Sequence, residues 1–169
     1  MNNNFEHCLD LVLKHEGGFV HDKYDPGGKT MKGVTQAVYD AYRKTRARPV
    51  QSVKFITDDE VKAIYRFQYW DMVQGDLLPA GLDYAVFDFA VNSGVGRASK
   101  YLQAVLGVAQ DGVIGAKTLA AIQSPRNTIN ALCDRRMGFL HGLRTFWRFG
   151  KGWTRRVQDV RAHALEMAS

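Results

Sequence analysis

The sequence contains only two cysteines, Cys8 and Cys133, which is too few for a disulfide scaffold. Both lie on apolar stripes, so we expect buried free thiols rather than a disulfide. Neither belongs to a Cys-x-x-Cys or a Cys/His spacing, and no zinc site is predicted. Long apolar runs are also missing. No stretch approaches the roughly 18 apolar residues of a membrane span, so stable membrane insertion is not expected.

The N-terminal residues have no cationic start, no long apolar core and no small-residue cleavage site. They therefore do not match a Sec signal. We expect the chain to be synthesised in the cytoplasm without such a signal. If its substrate lies outside the cell, another factor must release the protein.

The composition is that of an ordinary globular protein. A chain of 169 residues suits one compact domain, or one domain with a small appended lobe. Its 46% hydrophobic and 24% charged residues exclude the disordered and fibrous classes. The 23 Lys and Arg against 17 Asp and Glu give a net charge of +6. This charge favours anionic polymers, whether nucleic acid, an anionic membrane surface or the bacterial wall.

The positive charge is concentrated between Arg126 and Arg161, where the only acidic residues are Asp134 and Asp159. Two interpretations remain open for this stretch: a solvated basic face, or a surface that contacts a polyanion. No helix-turn-helix spacing, zinc spacing or basic-aromatic motif supports nucleic-acid binding. Nucleic acid is therefore not an expected partner.

Apolar residues recur at helical spacing almost throughout, which predicts an all-α fold. The first stripe, Phe5-Cys8-Leu9-Val12-Leu13, belongs to a helix that Gly17-Gly18 ends. The only strands expected form a short hairpin within residues 19–34. Residues 82–91 are apolar nearly all round, which predicts a central, buried helix.

Other boundaries follow from capping and breaking signals. Residues 57–60 form a capping-box sequence, which predicts a helix that ends at Tyr69-Trp70. The polar residues 44–52 before it are expected to form an exposed loop. A long basic helix is predicted over about residues 127–149. Gly150-Lys151-Gly152 is expected to break it before a last helix.

Glu16 continues the first apolar stripe at the end of the first helix. Partial burial disfavours the charged form of a carboxyl, so Glu16 is expected to stay protonated near neutral pH and act as a general acid. Gly17 and Gly18 remove side chains that would obstruct a bulky substrate. The alternative is that Glu16 is only a helix-end charge.

Asp25 follows in an Asp-Pro-Gly-Gly turn, whose polar surroundings favour its ionised form. Two carboxyls in contrasting environments form the arrangement that glycoside hydrolysis uses. Thr30 or Thr35, beyond the turn, could hold a water or orient Asp25. Asp-Pro-Gly is also a common turn sequence, so Asp25 alone can be a turn former.

A metal site is a competing interpretation, since His15, Glu16, His21, Asp22 and Asp25 are all metal-ligand types. Their spacing is not His-Glu-x-x-His, and neighbouring helical residues point in different directions. We therefore expect neither a metal nor another cofactor.

Residues 15–19 (His-Glu-Gly-Gly-Phe) and 25–35 (Asp-Pro-Gly-Gly-Lys-Thr-Met-Lys-Gly-Val-Thr) closely resemble the N-terminal motif of glycoside hydrolase family 108. Members are phage endolysin-like N-acetylmuramidases, and some are described as secretion activators. The resemblance implies a lysozyme-like α fold and cleavage of bacterial peptidoglycan between N-acetylmuramic acid and N-acetylglucosamine. It implies that Glu16 is the catalytic glutamate. The order Glu16, Asp25, Thr30 also resembles the Glu-Asp-Thr set of phage-type lysozymes, with Thr30 one position short of that spacing.

The resemblance extends over most of residues 9–160. Residues 87–94, Phe-Asp-Phe-Ala-Val-Asn-Ser-Gly, resemble the family's central helix and its exit. Residues 102–108 and 111–115 resemble the peptidoglycan-binding module usually paired with the catalytic segment. This likeness implies a catalytic segment over residues 1–95 and a small helical lobe over residues 96–169, packed as one unit.

Sugar rings stack on aromatic faces and bond to amides and carboxylates. The candidate substrate-binding residues are Tyr24, Thr35, Tyr69, Trp70, Asn92 and Trp153. For Tyr69 and Trp70 the alternative role is core packing. For Asn92 it is capping of its helix.

The leading hypothesis is a muramidase of a phage endolysin or secretion setting. A holin or a secretion apparatus is then the expected partner that brings it to the periplasm or cell wall. A catalytically silent peptidoglycan-binding or secretion-accessory protein is the alternative from another class. A lytic transglycosylase, which needs one acid and no activated water, is the nearest enzymatic alternative. Retention or inversion of configuration depends on a carboxyl separation of roughly 5 Å or 6.5–9.5 Å.

Overall fold

The computed structural model describes residues 4–18, 20–21 and 28–169, with only the backbone described at 20–21. Its helices are α1 (Phe5–His15), α2 (Gln36–Thr45), α3 (Asp58–Tyr65), α4 (Leu82–Ser93), α5 (Val95–Leu106), α6 (Ala116–Ala120), α7 (Pro125–His141) and α8 (Phe146–Met167). A small antiparallel sheet has the order β1 (Val20–His21), β2 (Lys29–Met31), β3 (Val34–Thr35). The predicted helical class is confirmed. The hairpin expected within residues 19–34 is a three-stranded sheet that extends to Thr35.

The chain forms two compact units. The small unit, Glu6–Gln68, holds the sheet, α2, α3 and nearly all of α1. The helical unit consists of the residues up to Phe5 together with Tyr69–Ser169, and it holds α4 to α8. The sequence predicts a different division, by function rather than by compactness, into a catalytic segment over residues 1–95 and a lobe over residues 96–169. This division stays a prediction.

The helices α2 and α3 of the small unit both begin at a threonine cap. Thr35 Oγ1 accepts a hydrogen bond from the backbone N–H of Val38 at 3.2 Å. Thr57 and Glu60 bond each other's backbone N–H groups in the predicted capping box, which is confirmed. After α3 the chain continues as a π-helix over Arg66–Trp70, so the helical path ends where it was predicted to end.

The polar segment between α2 and α3, expected to be an exposed loop, is tied down by side chains. Gln36 Nε2 donates to the carbonyl of Gln51 at 2.8 Å, and Gln36 Oε1 accepts from Val53 N–H at 2.7 Å. Gln51 Nε2 donates to Tyr39 Oη at 2.6 Å, and this hydroxyl donates to the buried Glu60 carboxylate at 2.8 Å. The segment is therefore fixed to both flanking helices although most of its residues are exposed.

The helical unit is organised around α4, whose residues 82–90 are all buried, as its all-round apolar pattern predicts. One carboxylate, Asp88, is among them and is 0% exposed. Arg136 of α7 donates to it at 2.7 Å and Arg156 of α8 at 2.9 Å. Burial acts to raise the pKa of Asp88, but the two guanidiniums outweigh it and hold the pKa below its ordinary value. A single ionised carboxylate thus joins three helices.

The predicted break at Gly150-Lys151-Gly152 is wrong. The helix α7 ends at His141, and α8 runs from Phe146 through all three residues to Met167. Gly150 is buried and packs closely against the ring of Phe146. A Cβ placed on Gly150 would lie only 2.7 Å from Phe146 Cζ. Gly150 therefore permits close packing within a continuous helix, and residues 142–145 make the turn.

The two cysteines behave as the sequence predicts. Cys8 and Cys133 are both buried free thiols. Burial raises the pKa of Cys133 to about 11, so its thiol stays protonated at neutral pH. Cys133 is therefore an apolar packing group of α7.

Candidate active site

Glu16 directly follows the last residue of α1, His15. Its backbone N–H donates to the carbonyl of Leu13 at 3.2 Å, which prolongs the final helical turn by one residue. The apolar stripe before it is buried, and the Glu16 side chain is half-buried. The structure thus places a partly accessible carboxyl at the end of a buried stripe.

The hairpin of β2 and β3 has a two-residue turn, Lys32-Gly33. Both residues have positive φ angles, 52° at Lys32 and 77° at Gly33, as a type I′ turn requires. A side chain in this conformation costs about 1–2 kcal/mol, which Lys32 incurs and Gly33 does not. The turn is therefore held by interactions elsewhere.

Gly33 lies where the hairpin meets Glu16. A Cβ placed on Gly33 would lie 3.0 Å from Glu16 Oε2 and 2.5 Å from Tyr65 Oη. The carboxyl and the phenol therefore border the same small space. Any side chain at this position would displace the turn, the carboxyl or the phenol.

The helix α3 anchors the turn at two points. Tyr65, which is 1% exposed, donates from its hydroxyl to the carbonyl of Lys32 at 2.6 Å. The Lys32 ammonium contacts the carboxylate of Asp58 at the start of the same helix. This hydrogen bond and charge hold the pKa of Asp58 below its ordinary value. The turn that borders Glu16 is thus fixed by one buried and one exposed interaction.

Thr30 and Thr35 lie directly opposite each other on β2 and β3, and both are half-buried. Cross-strand partners present their side chains on the same face of a sheet. Thr35 Oγ1 is engaged in the cap of α2, so a structural role accounts for it. Thr30 sits on the central strand and pairs on its other side with Val20. Glu16 thus borders the turn of the hairpin, and Thr30 and Thr35 lie on its two strands.

A Cβ at Gly18 would meet no described atom within 4 Å, and Gly17 is exposed. The following residues 19 and 22–27 lie outside the described residues, so the expectation that the two glycines leave room for a bulky substrate stays a prediction.

Two predicted site residues, Tyr24 and Asp25, lie outside the described residues. Their roles in stacking and in catalysis stay predictions. Asp22, one of the candidate metal ligands, also lies outside them. Within residues 4–18 and 28–169, no group of three or more His, Cys, Asp or Glu side chains is arranged to hold a metal ion.

Trp70 of the helical unit is 1% exposed. Its Nε1 donates to Asp76 Oδ1 at 2.9 Å, and its ring packs against Phe87 at 5.2 Å and Phe5 at 5.5 Å. The structure therefore gives Trp70 a core-packing role, because so buried a ring offers no face to a sugar. The neighbouring Tyr69 is half-buried and keeps part of its side chain accessible.

Asn92 is exposed near the end of α4. Its Oδ1 accepts from Arg136 Nη2 at 3.1 Å, and the same guanidinium bonds Asp88. The helix end is closed by the Gly94 N–H, which donates to the carbonyl of Ala90 at 2.8 Å. Asn92 is therefore an accessible amide whose orientation is set by Arg136.

The sequence patterns do not single out Gly33 and Tyr65, which border the same space as the carboxyl. Tyr65 occupies an apolar-stripe position on α3, a pattern that indicates core packing alone. Gly33 is one of 16 glycines. A usable signal is the Met-Lys-Gly-Val stretch, because glycine at the second position of a two-residue loop between apolar residues is typical of a hairpin.

Comparisons with known proteins show the family of this chain. The glycosyl hydrolase 108 family model matches residues 9–94, which include Glu16, the hairpin and α2 to α4. The solved structure of SagA from Brucella abortus is 47% identical, with a TM-score of 0.87 over 99% of this chain and 97% of that one. This chain belongs to the glycosyl hydrolase 108 family. No curated protein matches it.

Membership in the glycosyl hydrolase 108 family confirms the resemblance read from the sequence and supports a lysozyme-like, peptidoglycan-related function. The family match ends at Gly94, the residue that closes α4. The likeness to SagA also covers α5 to α8.

Proposed function

We propose that this protein is an N-acetylmuramidase that hydrolyses the β-1,4 bond between N-acetylmuramic acid and N-acetylglucosamine in peptidoglycan. The observation that carries the proposal is the Glu16 carboxyl, half-buried at the end of α1 and bordered by the Gly33 turn. Membership in a glycosyl hydrolase family whose match spans this residue adds support.

Glu16 acts as the general acid. Its carboxyl proton passes to the bridging oxygen while the bond from that oxygen to C1 of the muramic acid breaks, and the electron pair stays on the leaving oxygen. A fixed acid is effective because the proton donor already lies in the reactive geometry. We propose that the hairpin turn, which Tyr65 holds through the carbonyl of Lys32 and which borders Glu16 at Gly33, contributes to that fixation.

Asp25 is the proposed second carboxyl, which stabilises the positive charge that develops at C1, activates a water or attacks C1 directly. Thr30, on β2, the central strand of the sheet, is proposed to orient that water or carboxylate. Tyr24, Tyr69 and Asn92 are proposed substrate contacts. Thr35 supports the site as a helix cap, and Trp70 belongs to the core.

The decisive test is Glu16→Gln, assayed by dye release from purified peptidoglycan sacculi. The amide keeps the shape of the side chain but cannot donate the proton, so we expect a loss of at least about a hundredfold in rate. The matched control is Glu6→Gln, the same chemical change on the same helix at an exposed side chain that pairs with Lys62. This control is expected to keep the parental rate.

Product chemistry separates the competing reactions. Hydrolysis leaves reducing N-acetylmuramic acid ends, which mass spectrometry distinguishes from the 1,6-anhydro ends of a transglycosylase. Anhydro ends that disappear in Glu16→Gln would reassign the reaction and keep the acid. Sacculus binding without cleavage by the parent protein would instead mean a non-catalytic wall-binding protein.

The proposed setting is phage-type lysis or secretion, in which a holin or a secretion apparatus gives the enzyme access to the periplasm or the wall. This setting rests on the family resemblance. It predicts lysis of cells after co-expression with a holin, and no lysis by the enzyme expressed alone.

A further inference from the structure

The beginning of α8 and the turn before it carry positive charge without acidic neighbours in the sequence. Residues 135–158 contain no Asp or Glu. The sequence left two interpretations of this charge open: a solvated face, or a surface that contacts a polyanion. The structure shows which of these basic residues bind carboxylates or carbonyls within the fold and which are exposed.

Four arginines of the basic stretch have internal partners. Arg136 and Arg156 bind the buried Asp88. Arg161 bonds Asn130 and Asp134, and Arg126 donates to the carbonyl of Leu165 at 2.8 Å. These charges are accounted for by contacts within the helical unit.

A second group lies on the surface around the start of α8. We call it the basic aromatic surface, and it consists of exposed residues: Arg144, Trp147, Arg148, Lys151 and Arg155. Trp147 is 83% exposed, the highest fraction among the large apolar side chains that are exposed. Trp147, Lys151 and Arg155 follow one another at intervals of four residues, so they lie along one face of the helix.

Aromatic contacts hold the start of α8 in place. Phe146 and Trp153 are half-buried and Gly150 is buried, and Phe146 packs on His141 at 4.2 Å between ring centroids. Phe149, which is 44% exposed, packs on Trp153 at 5.7 Å. The indole of Trp147 therefore projects from a rigid helix, which makes a large apolar ring available to a partner.

We propose that the basic aromatic surface binds the face of a lipid bilayer that carries anionic headgroups. Exposed Trp beside Lys and Arg is the combination that lies at a membrane interface, with the indole at the headgroup level and the cations on lipid phosphates. None of the described helices is long and apolar enough to cross a membrane, so the contact is peripheral.

Cations outnumber neutral hydrogen-bonding groups on this part of α8. The side chains that line one cavity with Trp147, Lys151 and Arg155 include two neutral polar groups, Thr154 and Gln158, and no carboxylate. Excess cationic charge beside an exposed indole favours an anionic headgroup layer over a neutral glycan.

The test is co-sedimentation of the full-length protein with vesicles of phosphatidylcholine, with and without about 30% phosphatidylglycerol. We expect at least about tenfold stronger binding to the anionic vesicles, and weaker binding at about 0.5 M salt because the charges are screened. Equal binding to both kinds of vesicle, or binding to neither, would overturn the proposal.

Variants locate the contact. Arg148→Glu with Lys151→Glu is expected to weaken binding at least about tenfold, and Trp147→Ser about fivefold. The matched control is Lys44→Glu with Lys117→Glu, which changes the net charge equally at two exposed lysines elsewhere. Circular dichroism checks that all variants are folded. A control that loses as much binding as the Arg148/Lys151 variant would mean that net charge, not this surface, is responsible.

Two further measurements keep this proposal separate from the muramidase. Glu16→Gln is expected to bind anionic vesicles like the parent, because Glu16 is not part of the basic aromatic surface. If the parent protein binds isolated sacculi through Trp147 and Lys151 but does not bind vesicles, the surface is a wall-binding surface and the bilayer proposal is wrong.

Discussion

Glu60 of the small unit and Asp88 of the helical unit are both buried carboxylates, but different partners satisfy them. Glu60 of α3 accepts hydrogen bonds from three kinds of donor: the backbone N–H of Thr57 at the start of its own helix, and the Tyr39 hydroxyl and the Arg43 guanidinium, both from α2. Asp88 accepts from two arginines that arrive from other helices. Burial acts to raise the pKa of each carboxyl, and in both cases the partners outweigh it and lower the pKa.

This difference indicates how each unit is built. In the small unit, hydrogen bonds hold short segments and tight turns in place, and the turn beside Glu16 is one of them. In the helical unit, long helices pack through apolar side chains, and the buried Asp88 of α4 binds arginines of α7 and α8. Changes at Asp88 should therefore act on stability, whereas changes at the turn should act on catalysis as well.

The largest expected effect on stability is that of Asp88→Asn. It leaves two arginines without their carboxylate, one of them fully buried, and breaking a buried pair in this way costs about 3–5 kcal/mol. Urea denaturation followed by circular dichroism measures the change. Asp134→Asn is the control, because the Asp134 side chain is 73% exposed and its pair with Arg161 should contribute about 0–1 kcal/mol. Equal losses in the two variants would contradict the assigned role of Asp88.

Gly33→Ala should act on both stability and activity. The positive φ costs about 1–2 kcal/mol, and the clash with the Tyr65 hydroxyl adds about 1–3 kcal/mol. Displacement of Glu16 by about 1 Å should lower the rate of sacculus hydrolysis by about a hundredfold.

The control for this change is Gly107→Ala. Gly107, at the end of α5, also has a positive φ, 72°, but a Cβ there would meet no described atom within 4 Å. It should therefore show the backbone cost without the clash and without loss of activity. If both variants lose the same activity, general destabilisation rather than contact with Glu16 explains the loss.

Sequence patterns predict the parts of this molecule that depend on neighbouring residues. The capping box at Thr57 and Glu60 and the all-round apolar helix α4 belong to this group, because spacing along the chain decides them. The apolar stripe of α1 that leads to Glu16 belongs to this group for the same reason. The break predicted at Gly150 is wrong because glycine serves both for turns and for close packing, and only the ring of Phe146 decides between them.

The contacts that hold the turn beside Glu16 could not be predicted in the same way. Tyr65 and Lys32 are far apart in the sequence, and a buried tyrosine on an apolar stripe gives no sign of which carbonyl its hydroxyl will reach. The partners of Arg136 could not be predicted either. Its position on an apolar stripe predicts that the side chain is buried, but not that it binds Asp88 on another helix.

Glu60→Gln should have an intermediate effect that depends on pH. The pKa of Glu60 is lower in the folded chain, so its ionised form favours folding above the ordinary pKa of 4.5. This contribution is lost as the pH falls through the folded pKa. We expect the variant to be less stable by about 1–3 kcal/mol at neutral pH, and the difference to narrow in acid.

Denaturation curves between neutral and acidic pH measure this narrowing. Glu166→Gln, at an exposed position of α8, provides the control, and its stability should stay parallel to that of the parent. A constant difference between Glu60→Gln and the parent at every pH would mean that the charge of Glu60 is irrelevant and only its shape matters.

The smallest effect is expected at the exposed anchor of the Lys32 turn. Lys32→Met removes the contact with Asp58 but keeps the buried bond from Tyr65 to the Lys32 carbonyl. Exposed ion pairs contribute little to folding, so the denaturation midpoint and the rate of hydrolysis should stay close to those of the parent. The pKa of Asp58, followed by NMR, should rise toward its ordinary value, because Lys32 is what lowers it. If hydrolysis falls as far as in Gly33→Ala, the exposed pair rather than Tyr65 holds the turn against Glu16.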